Sequence, residues 1–197
     1  MQTSLLPGQV YHIFNRGNNR EPLFFEECNY EYFLELYARH IYPIAETYAY
    51  CLLSNHFHFL LRIRSEEEAA KFFAQGKEFN PSRSFSNLFN AYAKAINKAY
   101  GRRGSLFQKN FKHNHVPDDV YFMNLIYYIH FNPQKHGYVS DFKNWKWSSY
   151  QTIQSNLPTR LKRQQILEWF GGIDAFTRYH QEFSDHKLLY EYISDDD

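Results

Sequence analysis

The chain has 197 residues, 44% of them apolar, and balances 22 Lys and Arg against 21 Asp and Glu for a net charge of +1. Such a chain can bury one ordinary core, and its overall charge does not mark it as a nucleic-acid binder. No apolar run reaches membrane-spanning length, residues 1–8 lack the basic start and apolar stretch of a signal peptide, and Cys28 and Cys51 have no metal-type spacing. Reduced thiols in a cytoplasmic protein are therefore expected, not a disulfide framework.

Residues 9–15 (QVYHIFN) alternate partially and end at Arg16-Gly17-Asn18-Asn19, which predicts a strand and a turn. Residues 26–41 carry Tyr30, Phe33, Leu34 and Tyr37 at helical spacing. Residues 45–53 and 56–63 read as two strands joined through Ser54-Asn55, a β-hairpin. A loop with a short helix at 66–73 follows, then an amphipathic helix at 84–100 that Gly101 to Gly104 terminate. Residues 106–116 suggest a further strand. Pro117-Asp118-Asp119 opens a helix expected to stop near Phe131, before Asn132-Pro133. The order βαββαβ predicts an α+β, ferredoxin-like antiparallel sheet with helices on one face. Residues 1–150 form that domain. Residues 151–197 form a C-terminal extension with helices at 161–170 and 173–183.

Aromatic residues make up 20% of the chain, with 19 Phe, 17 Tyr and 3 Trp. Most are expected to fill the core, yet rings beside basic groups also suit stacking on unpaired bases. Charge is unevenly spread. Residues 79–117 contain no Asp or Glu but hold Arg83, Lys94, Lys98, Arg102, Arg103, Lys109 and Lys112, while acids gather at 66–68 and 195–197. A phosphate-binding face and a solvated helix face are both compatible with that pattern.

Two pairs of residues carry possible chemistry. His56 and His58 lie two apart on a predicted strand, so both imidazoles leave one face while Phe57 and Phe59 leave the other. Together they can bind a divalent cation, or be satisfied by neighbours or solvent. Tyr128 and Asn132 lie four apart on a predicted helix and share a face. A tyrosine hydroxyl, with a pKa of about 10, needs a base or a metal to attack phosphorus; burial of the ring in a core is the other reading of such a tyrosine.

Five ordered blocks bring these residues together: YHIFNRGNNREPLF, NHFHFLL, GRRGSLFQKNFK, YIHFNPQKHGYV and WKWSSY. In combination they resemble the HUH-type single-tyrosine transposases, and most of all the REP-associated tyrosine transposase branch, relatives of the insertion-sequence enzymes. The resemblance implies a ferredoxin-like fold and a Mg²⁺ or Mn²⁺ ion held by His56, His58 and Asn132. It also implies Tyr128 as nucleophile, and metal-dependent cleavage and rejoining of single-stranded DNA beside a hairpin through a 5′-phosphotyrosine. Tyr127 adjoins the nucleophile position, but it lies five residues before Asn132, about 140° around a helix. Arg16, Arg20, Arg102, Arg103, Lys109 and Lys112 are the expected DNA contacts. Phe107 and Phe111 are expected in the core sooner than on bases. No membrane and no small-molecule substrate is implied, and the assembly is a monomer or a homodimer. A hairpin-binding protein without strand transfer, and a relaxase- or replication-initiator-like nickase, are the alternative functions. The relaxase would usually carry a third motif histidine and a helicase or primase domain.

Overall fold

The computed structural model describes residues 4–73 and 78–182. The elements are β1 (Val10–Arg16), α1 (Glu27–His40), β2 (Ala45–Leu53), β3 (His56–Ile63), a short α2 (Glu66–Ala70), α3 (Pro81–Ala99), β4 (Lys112–His115) and α4 (Asp119–Lys135). The strands form one antiparallel sheet in the order β2-β3-β1-β4, the ferredoxin-like arrangement expected from the βαββαβ order.

The sheet is covered twice. Tyr11, Ile13, Phe57, Phe59, Leu61 and Ile63 pack with Phe33 and Leu36 of α1 and with Phe85, Leu88, Tyr92 and Ile96 of α3. The two helices of the βαββαβ unit thus share one face. On the other face Tyr48, Cys51, Leu53 and Leu60 pack against Leu125, Ile126 and Ile129 of α4. As a result seven of the eight residues of β3 are buried, and only Arg62 is partly exposed.

Helix ends follow from their caps. The third helix begins three residues before the predicted Ser84, because Asn80 accepts a hydrogen bond from the Arg83 N–H and Pro81 occupies the first turn. Asp118 caps α4 in the same way through the Tyr121 N–H, at 2.8 Å. The expected stop at Asn132-Pro133 is wrong: α4 runs through Pro133 to Lys135. Proline removes only one ladder donor. The helix closes three residues later, where Gly137 takes φ +73°, its N–H donates to the Gln134 carbonyl at 3.0 Å, and the Tyr138 N–H donates to the Pro133 carbonyl at 2.8 Å. These are the two bonds of a Schellman cap.

The single strand expected over residues 106–116 is two pieces. Phe107 bridges Gly17, and the Gln108 N–H donates to the Arg16 carbonyl at 2.9 Å; regular pairing resumes only at Lys112 opposite Phe14. Three steps along β1 are thus matched by five along the edge segment, so two residues bulge out, and Asn110 takes φ +64°.

The segment after residue 150 builds into the face covered by α4. Helices α5 (Tyr150–Gln154), α6 (Arg163–Phe170) and α7 (Ile173–Glu182) contribute Tyr150, Ile153, Ile166, Phe170 and Phe176 to that core. Phe183 and the acidic 195–197 tail lie outside the described residues. The WKWSSY block protects the outer edge of β2: Leu52 N–H donates to the Trp147 carbonyl and Ser149 N–H to the Tyr50 carbonyl, both at 2.9 Å. No described helix is long and apolar enough to cross a membrane.

A buried polar chain fastens α7 to this core. His130 Nδ1 meets His180 Nε2 at 2.9 Å, His130 Nε2 meets Ser149 Oγ at 2.8 Å, and His180 Nδ1 meets the Phe176 carbonyl at 2.8 Å. The chain is satisfied with both rings neutral. Burial lowers the His180 pKa to about 4 and holds that of His130 well below the ordinary 6.5. The unfolded chain takes up protons below 6.5 while the folded one does not, so this stabilisation is complete above that pH and is lost as the pH falls toward 4. Between pH 6.5 and 5 the loss is about 2 kcal/mol for His180. Denaturant unfolding across that range should therefore show a steeper pH dependence in the natural chain than in His180→Gln. Equal slopes would mean that His180 is not held neutral.

Candidate active site

His56 and His58 lie on the β3 face that meets α4, as the alternation of a strand requires. In the antiparallel register His58 stands opposite Phe14, and His56 opposite Arg16. His12 of β1 points to the same face, and its Nε2 lies 2.9 Å from His58 Nδ1, with both rings buried. His56 Nδ1 lies 2.7 Å from Asn55 Oδ1. Each ring is thus held through Nδ1, by His12 in one case and Asn55 in the other. In the tautomer that donates from Nδ1, each Nε2 keeps its lone pair, the arrangement that metal-binding imidazoles use.

Helix α4 supplies the opposite wall. The Tyr128 ring stands edge-on to His58 and His12, with centroids 5.7 and 6.4 Å away. Two turns later the His136 ring stands edge-on to His56 at 4.8 Å. Asn132 lies between these two contacts on the same helical face and is fully buried. Its Nδ2 donates to the Tyr128 carbonyl at 2.8 Å, which turns Oδ1 away from the helix ladder. Tyr127 points away from the histidines, stacked on Phe131 and near Phe142 and His180.

Among the described residues two buried polar atoms here lack a hydrogen-bond partner: His58 Nε2 and Asn132 Oδ1. Leaving such an atom unpaired in a dry site is costly. Both are metal-donor types, and together with His56 they fit the three-donor set expected for Mg²⁺ or Mn²⁺. Among the described residues no three His, Cys, Asp or Glu side chains form a metal-binding group, so any cation here relies on the amide as well as the imidazoles. All three inner histidines stay neutral. Burial lowers His12 to about 3, burial with His136, Arg16 and Lys135 nearby lowers His56 to about 3, and burial with His12 and His56 beside it holds His58 well below the usual range.

The basic residues gather at one end of this slot. The turn after β1 is tight: a side chain on Gly17 would meet the Glu21 carbonyl oxygen at 1.9 Å, and Asn19 and Arg20 take φ of +54° and +60°. Asn55 Nδ2 donates to the Arg20 carbonyl at 3.3 Å, and Asn18 N–H to the Leu106 carbonyl at 2.9 Å. The structure therefore brings Arg16 and Arg20, the hairpin tip before His56, and the 102–112 segment to the same edge. Arg20, Arg103, Lys109 and Lys112 are exposed there. Arg102 is less available: it pairs with Glu21 and ties α3 to the turn. Phe107 is buried in the core and Phe111 packs against it, as expected.

Sequence reasoning missed four contributors. His12 and Asn55 hold the histidine rings, and Lys135 and His136 extend the Tyr128–Asn132 face, with Lys135 Nζ 5.0 Å from the Tyr128 ring centre. The i, i+4 spacing of Tyr128, Asn132 and His136 is visible in the sequence, but the assumed helix stop hid it. The contact of His12 with His58 depends on register and had no local signal.

No protein-family model matches the chain. A Haemophilus influenzae protein named "Putative REP-associated tyrosine transposase" is 29% identical over 109 residues, 55% of this chain, and the match spans 60% of that relative's length. Among solved structures, a REP-associated tyrosine transposase bound to a REP hairpin superposes with a TM-score of 0.56 at 17% identity, covering 81% of this chain and 88% of the other. At that identity the superposition shows a shared fold.

The His12 contact predicts its own effect. Mn²⁺ binding, measured by calorimetry at pH 7.5, should weaken about 10- to 100-fold in His12→Ala, as for other lost outer-shell partners. His12→Asn, which retains a polar partner for His58 Nδ1, should recover part of it. Unchanged affinity in both variants would separate His12 from the candidate cation site.

Proposed function

We propose that this protein is a metal-dependent single-stranded DNA endonuclease and strand transferase of the tyrosine transposase type, acting beside hairpin-forming DNA. Its strongest support is the meeting, in one dry slot, of two unpartnered donor atoms, His58 Nε2 and Asn132 Oδ1, with the ring of Tyr128. The name of the similar Haemophilus influenzae protein and the hairpin held by the fold neighbour agree with it.

In this reading His56, His58 and Asn132 would hold Mg²⁺ or Mn²⁺, which would supply positive charge to stabilise the phosphate under attack. The Tyr128 hydroxyl loses its proton as its oxygen attacks the phosphorus. The new bond is a 5′-phosphotyrosine, the P–O3′ bond breaks, and the departing oxygen takes up one proton from solvent to become a free 3′-OH, so the proton lost by the phenol is balanced. A second 3′-OH reverses the exchange, so cutting and joining conserve the bond energy. Arg16 and Lys135, both near enough to His56 to disfavour its charging, add positive potential where the phosphate would sit. Arg20, Arg103, Lys109 and Lys112 would grip the backbone, with Arg102 bracing the turn.

With Mn²⁺ and an end-labelled single strand carrying a hairpin, the natural chain should form an adduct that survives denaturing electrophoresis. Tyr128→Phe should form none and Tyr127→Phe should retain it; the reverse result would move the nucleophile to Tyr127. His56→Ala should lose cleavage while hairpin binding falls by less than about threefold, since affinity rests chiefly on phosphate contacts. Tight hairpin binding with no adduct in the natural chain would instead favour a binding protein without strand transfer.

A further inference from the structure

A cavity of about 280 Å³ opens at the outer, β2 edge of the sheet, on the face away from the histidine slot. Phe59 follows His58 along β3, so its ring points to the opposite face, where it forms part of the cavity floor. Tyr37 of α1 stacks on that ring with centroids 4.2 Å apart, and Tyr50 of β2 lies 6.0 Å from it. Leu34 and Ala38 of α1 form one wall, and the 158–161 segment forms the other.

That second wall is held in place by its own bonds. The Lys162 N–H donates to the Thr47 carbonyl at 3.0 Å, and Lys162 Nζ donates to Glu46 at 3.0 Å. The Arg163 guanidinium donates to the carbonyls of Thr152, Ser155 and Leu157. The space is therefore preformed, and its volume lies near the lower end of the range for small-molecule sites, roughly 300–1,000 Å³.

The chemistry of the cavity selects its occupant. The inner hydroxyls are already engaged: Tyr37 and Thr47 bond each other at 2.8 Å, and the Tyr50 hydroxyl is turned to Thr152. A nucleobase or sugar would bury donors and acceptors without partners, at a cost that a hydrocarbon body does not meet. Charge sits at the mouth. The exposed Arg160 lines the cavity with its guanidinium 5.5 Å from the Tyr42 ring centre, and it forms neither an ion pair nor a hydrogen bond among the described residues. The nearby carboxylate of Glu46 is taken by Arg62, Arg64 and Lys162. A free guanidinium beside a ring-floored hole suits a carboxylate, which it can meet with two parallel hydrogen bonds. An extended peptide is less suited, because the Thr47 and Tyr50 carbonyls of the β2 edge already accept from the N–H groups of Lys162 and Ser149.

We propose that this cavity binds a small apolar carboxylate, an aryl or medium-chain alkyl acid, with its hydrocarbon part on Tyr37 and Phe59 and its carboxylate on Arg160. The inference stands apart from the proposed action on DNA and survives if that reading fails.

The test is calorimetry on the full chain with three probes: 2-naphthoate, 2-naphthylmethanol and acetate. The naphthoate should bind one per chain with a dissociation constant below about 1 mM, as expected for a ligand of this size. The alcohol has the same body without the charge and should bind about fivefold more weakly, the size of an exposed ion pair. Acetate should show no saturable binding. Arg160→Gln should lower the affinity for naphthoate to that for the alcohol and leave the alcohol unchanged. Ala38→Trp, which fills the cavity from α1, should abolish both. Arg160 is exposed, so its variant leaves the core intact and carries the test alone if circular dichroism shows Ala38→Trp to be unfolded. Absence of saturable naphthoate binding, or unaltered binding in Arg160→Gln, would overturn the proposal. So would equal affinity for acid and alcohol, which would instead favour an apolar side chain of a partner protein.

Discussion

The central constraint on this molecule is that its middle strand is dry on both faces. A helix pair covers one side of β3 and α4 covers the other, so His56 and His58 have almost no water to share. A buried imidazole resists protonation, because the charged form loses its hydration. Once neutral, each ring has one donor and one acceptor nitrogen, and the environment decides which is which. His12 and Asn55 engage Nδ1 on the two rings and leave Nε2 toward α4. The same burial that stabilises the fold thereby keeps one unprotonated nitrogen on each of two neighbouring rings, a condition that solvent-exposed histidines would meet only part of the time.

Helix α4 has to satisfy two demands that conflict locally. It must pack Leu125, Ile126 and Ile129 against the sheet, and it must present Tyr128, Asn132 and His136 to the histidines. The second demand needs an unbroken helix past residue 133, where proline breaks the ladder. The Asn132 side chain lies next to that break and spends its N–H on the Tyr128 carbonyl. Its oxygen is then left without a partner among the described residues. One amide thus links the helix ladder to the polar slot. The Ser54–Tyr138 hydroxyl contact, at 2.7 Å, then holds the end of α4 against the hairpin tip from which His56 starts.

Much of this was legible in the sequence because it is local. The β2–β3 hairpin has the expected bounds, since two apolar runs flank Ser54-Asn55. The shared face of His56 and His58 follows from strand alternation alone. The strand order follows from the element order. What was hidden depends on distant partners. Nothing near His12 says that register will set it against His58. The shift that splits residues 106–116 arises because Gly17 and Phe14 pair with different stretches of the edge. Pro133 misled for the opposite reason: its local signal is strong, and tertiary packing of α4 outweighs it.

The division of charge makes the arrangement suited to a phosphodiester. None of the groups that meet in the slot is a carboxylate; they are imidazoles, an amide, a phenol and the cations Arg16 and Lys135. A divalent ion held by neutral donors would keep its full charge for a phosphate, whereas carboxylate ligands would offset part of it. The exposed lysines and arginines sit at the rim, where water screens them and where they would serve attraction more than chemistry in the proposed reaction. With net charge near zero, the protein has no general pull on polyanions, and any attraction of one would have to come from a local cluster of cations. The acid-free stretch from residue 79 to 117 forms α3 and the bulged segment there, which explains how a chain of charge +1 can still present a concentrated basic surface.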